Sequence, residues 1–355
     1  MKARNSTVRI CFFPGRESSY ARSRVLLAGL RAAGLRVHDC SSSKKNVLRY
    51  FISIFRFFKW KRECDVILVG FFGQFLVPIV RLFTRKKIIF DTFLSAYQTL
   101  AFDRKVIDPN GLAAAIIRSV EKLSCQIADA CLLDTEQHID YFINEYHLDR
   151  NKFHRSFLGA EIPEVIAAPV SKTNGPIVHF HGEFQALHGV KYIIEAARHL
   201  PETKFRMIGS GRELEECIIY CKTLKAENVE FIPMVPFEIV KSYIKEATIC
   251  LGIFGETEKA QLVIPIKVYE ALAMGKPVIT SNTPAIRELL THREDVFLCN
   301  PADSDDLAQA IRTLLTDANL RNRIATNGYR TFLERCSPKI IGEDIADLCE
   351  EILGR

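Results

Sequence analysis

The feature that most restricts this chain is an alternation of short β-prone runs with helical runs, made twice over. "TVRICFF" is apolar and β-prone, and "PGRESS" breaks it. "YARSRVLLAGLRAAG" then carries apolar residues at helical spacing and stops at Gly34, and "LRVHDC" is the next strand. Strands over 65–71, 86–93 and 130–135 follow, with helices near 74–83 and 112–127. Residues 160–176, "AEIPEVIAAPVSKTNGP", are rich in proline and small residues and read as a linker. The alternation then restarts with "IVHFHGEF" and runs through "KFRMIGSG", "VEFIPMV" and "TICLGIF", with a helix between each pair. Strands joined through helices pair in parallel and are covered on both faces. The sequence therefore predicts an α/β protein of two Rossmann-like domains, 1–160 and 161–337, with a final helical segment, 338–355. Open parallel sheets bind ligands beyond the carboxyl ends of their strands, so a cleft between the two sheets is the expected site.

Composition narrows the class. The 355 residues are 48% hydrophobic and 25% charged, as in ordinary globular domains. The N-terminus lacks the apolar stretch of a signal peptide, and no run reaches the length of about 18 apolar residues that a membrane-spanning helix needs. Eleven cysteines are scattered without a CxxC spacing, which reads as free buried thiols in a reducing cytoplasm. Charge is uneven. Residues 1–160 hold 26 Lys+Arg against 14 Asp+Glu, so the first half faces something anionic.

Much of that charge lies in "KKNVLRYFISIFRFFKWKR", residues 44–62, with seven basic residues and no acid. On a helix, Val47, Phe51, Phe55 and Phe58 share one side, and Arg49, Ser53 and Arg56 the other. Phe57 and Trp60 lie beside the charges. The segment reads as an interfacial helix, with aromatic residues in the acyl boundary and arginines on anionic headgroups. The plainer reading is an amphipathic helix covering the first sheet. No recognition motif supports nucleic-acid binding.

Four strand-to-helix loops carry residues suited to phosphate or sugar. In "FFPGRESSYARSR", Gly15 permits a sharp turn, and Arg16, Arg22 and Arg24 supply charge unless they are merely solvated. Asp91 ends the third strand, as a functional carboxylate or a turn residue. In "HFHGEFQALHGVK", Gly182 and Gly189 bracket a loop holding Glu183 and His188, the latter a candidate anion donor. His179 and His181 share a strand face; with Glu183 they could bind metal, but a core or loop role fits better.

The fourth loop opens "VIPIKVYEALAMGKPVIT", residues 263–280. Ile264, Pro265 and Ile266 lead into a helix whose first turn carries Lys267 and Glu270, ahead of the apolar Ala271, Leu272 and Ala273. The helix mouth, its dipole of about half a charge and the Lys267 ammonium suit a diphosphate. Glu270 can accept hydrogen bonds from a ribose diol. A polar first turn on so apolar a helix asks for a ligand.

These residues resemble the retaining family-4 glycosyltransferases (glycosyl transferases group 1) of GT-B fold. The specific piece is "IPIKVYEALAMGKPVITSNTPAIRELL", supported by "HFHGEFQALHGVKYIIEAARHL" and "FRMIGSGRELEE", and more weakly by "FFPGRESSYARSRVLLAGLRAAG". The resemblance implies an N-terminal acceptor domain, a C-terminal nucleotide-sugar domain and a last helix crossing back to the first. It matches Glu270 to the second glutamate of a paired motif, which holds the donor ribose. The first glutamate falls at Leu262, a departure, and Glu256, Thr257 or Lys259 then line that space. It places Ile232, Pro233 and Val240 at the base and Gly15 where a loop approaches the donor. It sets Asp91 near an active-site histidine position and leaves Lys267 a larger share of the diphosphate.

The reaction this resemblance implies is transfer of a sugar from a nucleoside-diphosphate donor, UDP or GDP, to an acceptor hydroxyl. The acceptor is expected to be a glycan or a lipid-linked glycan in polysaccharide assembly, at the inner face of the membrane. Retention is expected, and no metal or other cofactor. The competing readings are a non-catalytic GT-B scaffold or partner subunit, kept in view by Leu262, and a sugar-nucleotide epimerase.

Overall fold

A computed structural model describes residues 8–17, 19–42, 48–162 and 175–355. The chain divides into two compact units. One comprises the described residues of Met1–Glu161 with Cys336–Arg355, the other those of Ile162–Arg335. Most of the expected linker, 163–174, lies outside the described residues, as do Lys44, Lys45, Val47 and the side chain of Arg49.

The first unit runs β1 (Arg9–Phe13), α1 (Ala21–Ala32), β2 (Arg36–Asp39), α2 (Leu48–Trp60), β3 (Val66–Val69), α3 (Leu76–Phe83) and β4 (Lys87–Phe93). A one-turn α4 (Ala96–Gln98) continues as a short π-helical turn, then α5 (Leu112–Ile127), β5 (Ala130–Leu133), α6 (Glu136–Tyr146) and β6 (Phe153–Arg155). The strands form one parallel sheet in the order β2-β1-β3-β4-β5-β6. Side chains alternate across a strand, so β1 sends Ile10 and Phe12 to one core and Cys11 and Phe13 to the other. The last helix, α15 (Pro338–Leu353), returns to this unit and joins α1 over the Ile10–Phe12 face. A Cβ on Gly29 would sit 2.2 Å from the Pro338 carbonyl oxygen, and one on Gly342 would sit 2.0 Å from that of Gly29. Two glycines thus let α1 and α15 touch backbone to backbone.

The other face is covered by Phe57 of α2, Val77 and Val80 of α3, Cys125 of α5 and Phe142 of α6. The orientation of α2 corrects the helical-wheel reading in one respect. Phe57, expected beside the charges, is the anchor, stacked on Phe13 at 5.3 Å, and Ser53 is buried rather than solvated. Phe51, Phe55 and Phe58 point outward. Arg56 donates to the Ser41 carbonyl, and Trp60 stacks on His38.

The second unit runs β7 (Ile177–Glu183), α7 (Val190–Arg198), β8 (Lys204–Ser210), α8 (Leu214–Leu224), β9 (Val229–Pro233), α9 (Phe237–Glu246) and β10 (Ile249–Leu251). It continues with α10 (Glu258–Leu262), α11 (Ile266–Ala273), β11 (Val278–Ser281), α12 (Pro284–Arg287), β12 (Phe297–Cys299), α13 (Ser304–Thr316) and α14 (Ala318–Arg335). The sheet is parallel in the order β12-β11-β10-β7-β8-β9. All eleven cysteines are free and buried. No helix among the described residues is long and apolar enough to cross a membrane.

Candidate functional site

Helix α11 is enclosed on all sides: every residue from Lys267 to Ala273 is buried. Pro265 sits at the N-cap with φ −70° and ψ 146°, and no side chain caps the helix. At the other end Gly275 takes φ +62°, and the Lys276 amide returns to the Ala271 carbonyl, closing the last turn before Pro277. The helix, buried from Lys267 onward, opens beside the ends of β7 and β10, with Lys267 against Gly182 and Val268 against Gly252.

Lys267 reaches from that mouth over β7. Its Nζ lies 4.0 Å from the centre of the Phe180 ring and has no hydrogen-bond partner. Gly182, at φ +142°, makes the space: a Cβ there would sit 2.8 Å from Nζ. Burial lowers the amine to about 7, against the opposing pull of Glu270 and Glu183. An amine so placed is a poor structural element and a ready partner for an anion.

Glu270 accepts from His181 Nε2 at 2.8 Å, and His181 Nδ1 lies 3.0 Å from His179 Nε2. The two histidines do share a face, as their spacing on a strand requires. They bond each other and Glu270, and among the described residues no group of three or more His, Cys, Asp or Glu side chains is arranged to hold a metal ion. His188 corrects another expectation. Its Nδ1 bonds the Glu183 carbonyl, which can only accept, so Nδ1 carries the proton. Burial and the Lys267 charge push His188 well below its ordinary pKa. The N–H of the neutral ring is thus committed to the Glu183 carbonyl rather than to an anion. Gly189, at φ +61°, starts α7 with its Cα against the Phe254–Gly255 backbone, where a Cβ would come within 2.5 Å.

Strand register extends the site sideways. Gly182, Gly209 and Pro233 are successive partners across β7, β8 and β9, and His181, Ile208 and Ile232 form the next row. Ile232 and Pro233 thus stand about 10 Å from the Lys267 end of β7, a nucleoside's length away. Val240 is enclosed in the packing of α9, so it serves the core. Near Leu262, the Thr257 hydroxyl caps α10 through the Ala260 amide at 3.3 Å, Lys259 is buried and Glu256 is exposed.

The expected residues of the first unit have other engagements. Gly15 packs against the β3–α3 loop, where a Cβ would lie 2.2 Å from the Phe71 carbonyl oxygen. Arg16 pairs with Glu17 at 2.8 Å and lies over the Tyr20 ring. Asp91 offers no free carboxylate: Arg22 Nη2 and Nε reach its Oδ1 at 2.8 and 3.1 Å, and both side chains are fully enclosed. Arg22, read as loop charge or solvent-facing, also donates to the Phe157 carbonyl at 2.7 Å. This pair ties α1, β4 and the segment after β6 together; it is scaffold. Sequence reasoning also missed His138, in the first turn of α6, buried and 2.9 Å from Asp134, which stands just before the N-cap Thr135.

The profile of the glycosyl transferases group 1 family matches residues 161–331. The match spans nearly all of the second unit. Among relatives, the alpha-D-kanosaminyltransferase of Streptomyces kanamyceticus is 25% identical over 73% of this chain and 68% of its own length. The N,N'-diacetylbacillosaminyl-diphospho-undecaprenol alpha-1,3-N-acetylgalactosaminyltransferase of Campylobacter jejuni is 22% identical over 63% of this chain and 61% of its own length. A glycosyltransferase of Haemophilus influenzae, 28% identical, is matched over 39% of its length, so the chain spans well under two thirds of that relative. In structure, the UDP complex of HepE from Anabaena superposes with a TM-score of 0.73 at 16% identity, covering 97% of this chain and all of HepE. The fold is GT-B, two Rossmann-like domains each with a six-stranded parallel sheet.

Proposed function

We propose that this protein transfers a sugar from a nucleoside-diphosphate donor to an acceptor hydroxyl, with retention and without a metal ion. The observation that carries the reading is the Lys267 amine, buried without a hydrogen-bond partner at the mouth of α11 and beside Glu270. The bond from the anomeric carbon to the β-phosphate oxygen breaks, and the electron pair leaves with the phosphate. Lys267, protonated, and the helix mouth stabilise that charge as it develops, the role a metal ion fills elsewhere. The acceptor oxygen bonds the anomeric carbon, and its proton passes to the departing phosphate. Glu270 accepts from the ribose hydroxyls, and Ile232 and Pro233 border the base. HepE is in complex with UDP, and the shared fold agrees with a nucleoside-diphosphate donor here. With Leu262 in place of a carboxylate, donor-sugar contacts fall to other residues.

The acceptor we infer is lipid-linked, at the cytoplasmic face of an anionic membrane. Eleven free thiols fit a reducing compartment. The outer side of α2 exposes Phe51, Phe55 and Phe58, and α3 beside it exposes Ile79 and Leu82, the last at 82%. Phe58 meets Phe83 edge-on at 5.0 Å, so the two helices form one apolar strip. Leu48 and Ile54 of α2 are exposed as well, the exposed charged side chains described on the two helices are Arg56 and Lys59, and neither helix holds an acid. Apolar strips that carry cations and no acid suit anionic headgroups. The undecaprenol-linked acceptor named for the Campylobacter relative agrees with this.

The test is thermal stabilisation by UDP and GDP in EDTA. One of them should raise the melting temperature, and Lys267→Ala should abolish the rise. No response to either would leave the scaffold reading.

A further inference from the structure

The chain His179–His181–Glu270 has a direction. Glu270 and His181 are 2.8 Å apart, His181 and His179 3.0 Å, and the far end of the chain, His179 Nδ1, is buried with no hydrogen-bond partner. With both rings neutral, two proton orders satisfy the inner bonds. In one, an ionised Glu270 accepts from His181 Nε2–H, and His181 Nδ1 accepts from His179 Nε2–H. His179 Nδ1 is then a bare lone pair. In the other, a neutral Glu270 donates and every proton shifts, which leaves an N–H on His179 Nδ1 facing nothing. An orphaned buried donor is rarer and costlier than an under-used acceptor. The first order holds, and it polarises both rings toward the carboxylate. Burial, with the neighbouring cationic groups, keeps His179 neutral, as that order requires.

A glutamate has three rotatable side-chain bonds, and fixing them costs entropy at the moment a ligand binds. Here one oxygen of Glu270 is already held, from a strand 89 residues away in sequence. Only that oxygen is engaged by hydrogen bonds among the described residues. The side chains of Glu270 and His181 retain 8% and 12% of their surface open. We propose that His181, backed by His179, is a positioning residue for ribose recognition: it clamps Oε2 of Glu270 so that Oε1 stands ready for a ribose hydroxyl. This rests on the reading of Glu270 as the ribose acceptor. It assigns to β7 a specificity role acting through Glu270 without touching the ligand.

Affinities for UDP and 2′,3′-dideoxyuridine diphosphate, with GDP and its dideoxy analogue in parallel, test this by calorimetry. His181→Ala should weaken the ribonucleotide about tenfold, the scale of one lost charge-assisted hydrogen bond, and leave the dideoxy analogue within about twofold. His181→Gln, whose amide N–H can reach the carboxylate, should recover most of that loss. In a Glu270→Ala background, His181→Ala should cost nothing further. Equal weakening of ribo and dideoxy forms by His181→Ala, or an undiminished cost in the Glu270→Ala background, would overturn the positioning role. If Glu270→Ala loses the ribose preference and His181→Ala keeps it, the positioning role alone falls. If Glu270→Ala keeps it, the ribose reading of Glu270 falls as well.

Discussion

Lys267 shows how one residue can set the terms of a site. Its amine is lowered from 10.5 to about 7, chiefly by burial. Between those values the unfolded chain binds more protons than the folded one, so the nucleotide-free protein gains stability as pH rises from 7 toward 10.5. Below pH 7 the folded amine carries its charge at the full cost of burial. Lys267→Met should therefore be more stable than the parent at pH 6.5, melt with a flatter pH dependence from 7 to 9, and bind no nucleoside diphosphate. Melting curves across that range, with and without nucleotide, check all three. Asp91 is the opposite case. Breaking a fully buried ion pair by removing one partner costs about 3–5 kcal/mol, so Asp91→Ala should lower the urea midpoint sharply. Unchanged stability with lost activity would restore a catalytic role to Asp91.

At the scale of elements, α11 and α2 illustrate what pattern reading can and cannot reach. The polar first turn of α11 was legible because Lys267 and Glu270 interrupt an otherwise apolar helix. The face that α2 buries was not, because phenylalanines occur on both sides of it, and only packing on Phe13 selects Phe57. The outward strip of α2 and α3 makes its own prediction. Phe55→Glu or Leu82→Glu should leave the melting temperature unchanged, since both side chains are exposed, at 72% and 82%. Either should reduce sedimentation with phosphatidylglycerol vesicles about tenfold, through lost apolar insertion and added repulsion. Binding that ignores both substitutions would remove the strip from the membrane account.

Across the whole molecule, the two sheets were readable because strands buried on both faces are continuous apolar runs, such as Val66–Val69, set between amphipathic helices. Short elements without that signal, β6, β12 and α12, were not. Nor were contacts joining distant positions: Arg22 to Asp91, 69 residues apart, and His181 to Glu270, 89 apart, exist only once the sheets bring strand and helix together. The site was therefore legible as residue types at loop ends and illegible as a network. The most direct test of the central claim is release of nucleoside diphosphate from a panel of UDP- and GDP-sugars, in EDTA, with a membrane lipid extract as acceptor. The expected result is lipid-dependent release from at least one donor, lowered about a hundredfold or more by Lys267→Ala, as for loss of a group stabilising the transition state. No release from any donor, or release that Lys267→Ala leaves unchanged, would contradict it.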